Sequence, residues 1–555
     1  MDSERKDSNE QPKVTASSQS VRSAGTQTSP SMFVRTSSGL IRQLSARNAI
    51  AANMLILGTE AAWLFSILAL GVFPGANLVE SMLLLIPLMA VIALIYTLMT
   101  SAMPRTGGDY VWVGRSLFPV AGFMVNFMVT VMILTFVGST AGLFVNSRLS
   151  PLLIGLQYTT GTSMHAILSF IRTQPNGIII GMLLVLIVPL VTIAGTKWAM
   201  RLIWAGFICQ LIFVVGGIIA FLVVPQSTFI ANFNAMSGMT YQGVITAAQQ
   251  AGATLTFNTH DTLLAMYYLS SLFAGGFTAC SYFAGEMKHS TKLRTQAIPI
   301  LGSLFLFAVL SAIMYAAVYI GVGQQFYSAL SVSFLRGLPI YAIPALPVGG
   351  VLLAFSTNNP YFLIIIGIPY IITILGTMTA FIFVVVRNLF SWSFDRLIPS
   401  QFTKVSSRYG TPWLATILAI ALGEICALAY HYTDFASYMS YMPLGFAVAM
   451  FIASWAAIVF PFHRKDLFQA SPSFVQMRIG GLPLITLIGI LSAISSAYIA
   501  YASMVPAVAG TLNPVYVYAI IAIFFVPIII YYGSRAYERH KGVPIDLARK
   551  EVPPE

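Results

Sequence analysis

The chain has 555 residues, of which 57% are hydrophobic and only 8% charged, with 29 Lys+Arg against 17 Asp+Glu. Soluble domains carry about 25% charged residues, so this composition, at a mean hydropathy of +0.82, excludes a disordered chain, a coiled coil and an ordinary soluble enzyme. It suits a bilayer, and the meaning of the net charge of +12 depends on where the cations sit.

Residues 1–45 are rich in Ser, Thr and Gln and are expected to form a disordered cytoplasmic tail. A spanning helix needs about 20 mostly apolar residues. Twelve such segments follow, near 50–72, 79–101, 117–146, 177–195, 202–225, 264–286, 297–322, 362–386, 413–432, 437–461, 482–504 and 513–533. They place the transmembrane domain at 46–534 and leave 535–555 as a second cytoplasmic tail. Two apolar stretches broken by Pro, Gly or His, 149–171 and 338–359, read as structured outer loops with short interfacial helices. The polar segment 226–262 reads as an exposed outer loop.

Charge placement tests this layout. With the N-terminus inside, 26 of the 29 Lys/Arg fall on inner segments, leaving Arg148, Arg172 and Arg336 outside. Cytoplasmic loops hold such an excess, so the expectation is a multi-pass protein of the cell membrane with both termini cytoplasmic. The cations are spread over seven inner segments without a nucleic-acid-binding motif, which argues against nucleic acid as a partner. Cys209, Cys280 and Cys426 lie in apolar runs and read as small buried residues. The six histidines are scattered without metal-ligand spacing, and there is no P-loop, H-E-x-x-H or G-x-S-x-G. Thr106-Gly107-Gly108-Asp109 is like an intramembrane protease signature, but it has no partner aspartate within a span. No cofactor, metal or enzyme activity is expected.

A charge at the bilayer centre costs about 2.5–3.5 kcal/mol on insertion scales, so the few carboxylates within spans stand out. Glu60 sits near the middle of the first span and Glu424 near the middle of the ninth. Glu80 and Glu286 lie at span ends, where solvated termini are the simpler reading. Glycine is the second signal: Gly58 precedes Thr59 and Glu60, and Gly275-Gly276 interrupts the sixth span. Broken helices in corresponding positions of two halves point to a transporter's central site, although glycine also serves close helix packing.

At the inner end of the second span the chain reads Met103-Pro104-Arg105-Thr106-Gly107-Gly108-Asp109-Tyr110. This resembles the signature of the amino acid–polyamine–organocation (APC) family of permeases. Gly195-Thr196-Lys197, Ala284-Gly285-Glu286-Met287-Lys288, Arg387 through Pro399 and Gly410-Thr411-Pro412 agree in family order, and the tail from Gly542 to Glu555 is similar to archaeal-type members. The resemblance implies an all-α, LeuT-like fold, with two inverted repeats of five spans plus two peripheral helices. It implies secondary uptake of an amino acid or amine by alternating access, often with a proton as coupling ion.

Carried onto this chain, the substrate would meet Leu57, Gly58, Thr59 and Glu60 in the first span. In the sixth it would meet Phe273, Ala274, Gly275, Gly276, Phe277 and Thr278, with Phe273 or Phe277 as an aromatic gate. Three departures stand out. The first span lacks the family's glycine-x-glycine run. Thr278 stands where many members have glutamate. Gln210 stands where some proton-coupled members have a buried lysine. Glu60 is the leading candidate to meet the substrate ammonium or carry the coupling proton, with Glu424 and Gln210 as further coupling candidates. A polyamine or organic-cation carrier, or an amino acid exchanger, is the nearest alternative; a site holding both Glu60 and Glu424 would favour the polyamine carrier. An ion channel or amine-sensing receptor is more remote, and oligomeric state is left open.

Overall fold

A bilayer offers the backbone no hydrogen bonds, so a spanning segment has to satisfy its own amides and carbonyls. The apolar runs of this chain do so as helices. The structure, a computed structural model, describes residues 39–273, 275–433, 441–504, 514–543 and 551–553. The tail 1–38, Ala274 and most of the C-terminal motif (544–550 and 554–555) lie outside the described residues.

The first predicted span is split into α1 (Ala46–Leu57) and α2 (Ala62–Val72). The second is α3 (Leu78–Ala102), followed by the short α4 (Asp109–Ser116). The third, α5 (Pro119–Phe144), runs through a π turn at Val145–Leu149 into α6 (Ser150–Thr160). The fourth is a pair, α7 (His165–Arg172) and α8 (Asn176–Ile187), bent by 69°. After α9 (Thr196–Val223) come two shorter helices, α10 (Gln226–Met236) and α11 (Tyr241–Gln250). The sixth span begins with α12 (Thr259–Phe273) and then unwinds. The second half holds α13 (Leu293–Val318), α14 (Gln324–Leu335), α15 (Gly349–Thr357), α16 (Pro360–Phe394) and α17 (Trp413–Tyr432). It ends with α18 (Met442–His463), α19 (Lys465–Gln469), α20 (Leu484–Met504) and α21 (Pro514–His540).

Among the described residues, ten helical stretches are long and apolar enough to cross a bilayer, and the α7–α8 pair gives an eleventh. α12 and the unwound residues after it complete the twelve predicted segments, and the chain is an all-α polytopic membrane protein. Close packing relies on small residues: a Cβ on Gly206 of α9 would lie 2.7 Å from the Gly376 Cα of α16.

Two loop readings need correction. Residues 150–160 are no loop, because α6 continues α5 through the π turn. The 226–262 segment is no simple exposed loop either. Phe229 and Phe233, one turn apart on α10, pack at 5.8 and 4.8 Å on Phe326 and at 6.3 and 5.2 Å on Phe355. Its polar composition hid an apolar stripe of helical spacing.

The segments predicted to lie inside do gather at one end of the bundle. Leu44 pairs with the 286–288 backbone (Leu44 N to Glu286 O, 2.9 Å), and Gly107 N donates to Tyr282 O at 2.9 Å. Tyr110 Oη and Arg115 both donate to Asp395, each at 2.6 Å. Arg105 and Arg115 also donate to the backbone carbonyls of Pro553 and Glu551, at 2.8 and 3.0 Å. Glu286 is no solvated terminus: it is 1% exposed and takes a two-pronged pair from Arg387 at 2.7 and 3.0 Å. Glu80, by contrast, is exposed.

Asp109, on α4 outside the spans, is buried at this end. It accepts from Asn126 Nδ2 at 2.6 Å and from the hydroxyls of Tyr96 and Tyr282 at 2.8 Å each. Burial lifts its carboxyl to about 6, against these hydrogen bonds, which favour the carboxylate. A folded value above the unfolded one binds extra protons in the folded state, so this contribution to stability is full below pH 3.8 and is lost as pH rises through about 6. Thermal unfolding of the purified protein should therefore show a fall in stability between pH 5 and pH 7.5 that Asp109→Asn removes. Identical pH profiles for the two proteins would contradict this.

Candidate functional site

The break in the first span starts at Gly58, which caps α1 at φ +67° with its amide on Met54 O. A side chain rarely adopts that backbone conformation, and glycine adopts it freely. Residues 58–61 form turns before α2 resumes. The break in the sixth span has the same device, Gly275 at φ +74°. The two breaks touch: a Cβ on Gly276 would lie 2.7 Å from Leu57 Cγ and 2.9 Å from Leu57 N. Glycine is required there so that the two backbones can meet.

Asn53 ties these breaks together, a residue the sequence reading passed over. From within α1, its Nδ2 donates to Phe277 O at 2.8 Å and Pro299 O at 2.9 Å, and its Oδ1 accepts from Cys280 N at 2.9 Å. Pro299 lies inside α13. A single buried amide thus satisfies backbone of two other spans. The amides of Thr59 and Glu60, and those of Phe277 and Thr278, have no hydrogen-bond partner among the described residues, and all four residues are buried. The Thr59 hydroxyl is also buried without a partner. Unpaired buried amides are costly, and groups of them at helix ends suit an anion.

The site residues read from the sequence fall as follows. Leu57 meets Gly276 at the contact just described, with Gly58, Thr59 and Glu60 following in the first break and Phe277 and Thr278 in the second; Ala274 lies outside the described residues. Thr278 turns its hydroxyl onto Gly275 O at 3.3 Å, so the position that departs from the family's glutamate is neutral. Phe273 packs edge-on against Phe307 at 5.0 Å and is fully buried, as is Phe277.

Glu60 does not stand alone. Arg148 Nη2 donates to its Oε1 at 3.0 Å, and Gln210 Nε2 donates to its Oε2. The Glu60 side chain is 1% exposed and that of Arg148 is 8% exposed. Gln210 also reaches Met54 O at 3.2 Å, so it holds both the carboxylate and the end of α1. Arg148 donates through Nη1 to Tyr370 O at 2.8 Å and lies 4.6 Å over the Tyr370 ring. The π turn supplies this placement, since Ser147 beside Arg148 accepts from Tyr370 Oη at 3.2 Å. Tyr370 stacks on Phe213 at 4.1 Å, and Phe213 meets Trp63 at 5.2 Å, forming an aromatic wall beside the break.

Arg148 was expected on an outer segment. It is instead buried, because the helix continues past it and Glu60 neutralises it. Glu424 is not brought to this site. It is half-buried on α17 and makes no hydrogen bond among the described residues, and its neighbour Gly423 packs against Val137 and Val185. No group of His, Cys, Asp or Glu suited to a metal ion occurs among the described residues.

Breaking a buried ion pair from one side costs about 3–5 kcal/mol, because the remaining charge is uncompensated. Glu60→Gln alone should therefore lower the thermal stability of the purified protein by about that amount. Glu60→Gln combined with Arg148→Gln should recover most of the loss. Equal losses in the single and double variants would mean that the pair does not exist.

No curated protein matches the chain at a significant level. The sequence profile of the amino acid permease family matches residues 49–526. That match takes in both breaks and eleven of the twelve predicted spans in full, and the chain belongs to the amino acid permease family of the APC superfamily of membrane transporters.

Proposed function

We propose that this permease is a secondary active transporter of amino acids that takes its substrate at the paired breaks and works by alternating access. The observation that carries the reading is the set of buried amides of Thr59, Glu60, Phe277 and Thr278, which have no hydrogen-bond partner among the described residues, on either side of the Leu57–Gly276 contact. A substrate carboxylate satisfies several of them at once. α2 begins there without a side-chain cap, and its N-terminal dipole favours the same anion. The α1 and α12 helices end there, and C-terminal carbonyls favour an ammonium. A zwitterion matches both. A polyamine needs carboxylates, and Glu60 is already neutralised by Arg148 while Glu424 makes no hydrogen bond among the described residues.

Coupling to protons is the finer part of the proposal. Glu60 links the first break to Arg148 after α5 and Gln210 on α9. Protonating it would free the guanidinium and loosen the break from its neighbours, which gives a proton leverage over the site. The breaks then open alternately as one part of the bundle rocks against the other. Each net charge moved gains about 2.3 kcal/mol per 100 mV of membrane potential.

Proteoliposomes offered a panel of amino acids and polyamines, with and without an inward proton gradient, test this directly. Amino acid accumulation that rises with the gradient is expected. The Glu60→Gln/Arg148→Gln variant is expected to move substrate down its gradient without responding to pH. Polyamine accumulation in place of amino acids would overturn the substrate class. A gradient response retained by the double variant would remove Glu60 from coupling, and accumulation only against preloaded amino acid would make the protein an exchanger.

A further inference from the structure

The cations of the inner end fall into two groups. Arg115 and Arg387 are consumed by Asp395 and Glu286. Lys197, Arg201, Lys404 and Arg408 are exposed and form no ion pair among the described residues. They line three adjoining clefts that share walls, Lys197 and Arg201 in the first, Lys197 and Arg408 in the second and Lys404 in the third, between the start of α9, the 404–410 loop and the 39–43 segment. No Asp or Glu among the described residues lines any of the clefts. On α9, Lys197, Arg201, Trp204 and Ile208 follow helical spacing, so they share one face.

The walls are as informative as the charges. Arg201 lies 4.5 Å over the Trp198 ring, Arg408 lies 5.1 Å over Tyr409, and Trp413 closes the far side. Indole and phenol rings beside cations are the chemistry of a membrane–water boundary. Below the cations α9 continues as an exposed apolar flank of Ile208, Ile212, Val215 and Ile219. The uncapped N-terminus of α9 opens at the same place, behind Gly195, and adds a partial positive charge. An occupant therefore has to present an anion to the cleft and apolar chains to the flank. The adjoining tail 1–38 fits less well, because its five Lys/Arg oppose only four Asp/Glu and leave it weakly cationic.

We infer that this cleft binds the phosphate headgroup of an anionic phospholipid, with Lys197, Arg201, Lys404 and Arg408 on the headgroup and the acyl chains along α9. Such a lipid would join the start of α9 to the 404–410 loop. Basic pockets between spans suit anionic headgroups, at about fivefold in preference per cation near the surface.

The test uses the purified full chain reconstituted in equimolar phosphatidylglycerol and phosphatidylcholine, then extracted in limiting detergent. Native mass spectrometry reads the retained lipid. Phosphatidylglycerol should be retained in preference to phosphatidylcholine. Arg201→Gln/Arg408→Gln should cut that preference by about fivefold per cation removed, and Arg201→Lys/Arg408→Lys should keep it. Lys288→Gln/Lys292→Gln removes two exposed cations outside the clefts and should leave the preference unchanged. Equal retention of the two lipids by the native protein would overturn the inference. So would equal losses in the two Gln variants, which would mark a diffuse field, or displacement of the lipid by millimolar inorganic phosphate, which would mark a free-phosphate site.

Discussion

Interrupting two helices in the middle of a bilayer exposes backbone groups that lipid cannot satisfy, and the rest of the bundle is arranged around that constraint. Gly58 and Gly275 turn the chain at positive φ. Gly276 lets the second break lie against the first. Asn53 then takes up Phe277 O, Pro299 O and Cys280 N, which fixes the sixth and seventh spans to the first. What is left over is a small set of buried amides with no hydrogen-bond partner among the described residues. In a membrane protein such a deficit is tolerated where a cavity or a ligand completes it, which is why we propose the breaks as the substrate site.

The second organising feature is that the buried charges mostly compensate one another. Glu60 meets Arg148, Glu286 meets Arg387, and Asp395 meets Arg115. Each pair joins residues far apart in sequence. The Glu286 and Asp395 pairs tie the loops at one end of the bundle, and the Glu60 pair ties the first break to the helix running through the π turn. A low-dielectric interior makes each partner indispensable to the other. The scarce charges of this chain thus serve as long-range fasteners.

Much of the fold was legible because spanning helices write themselves as apolar runs, and the segregation of Lys/Arg separated the two ends. The breaks were legible too, because glycine beside a polar pair in a span is conspicuous. The partners of Glu60 were harder to read. Arg148 lies near Pro151, and proline after an apolar run reads as a loop; yet Pro151 sits just past the π turn in a continuous helix, where the Ser147 carbonyl accepts from Tyr370 Oη instead. Asn53 was hidden because a neutral amide in an apolar run does not stand out as a charge does. Glu424 also stood out as a carboxylate within a span, but packing puts it elsewhere, and packing of this kind depends on contacts between distant segments. The α10–α11 helices were missed because polar composition masked the Phe229/Phe233 spacing.

The central claim is that the unpartnered amides of the two breaks receive a carboxylate. Equilibrium binding to the purified protein tests it most directly, comparing amino acids with the corresponding amines that lack only the carboxylate. The account predicts that at least one amino acid binds saturably and that its decarboxylated counterpart binds far more weakly. Equal binding of the amino acid and its amine would contradict it.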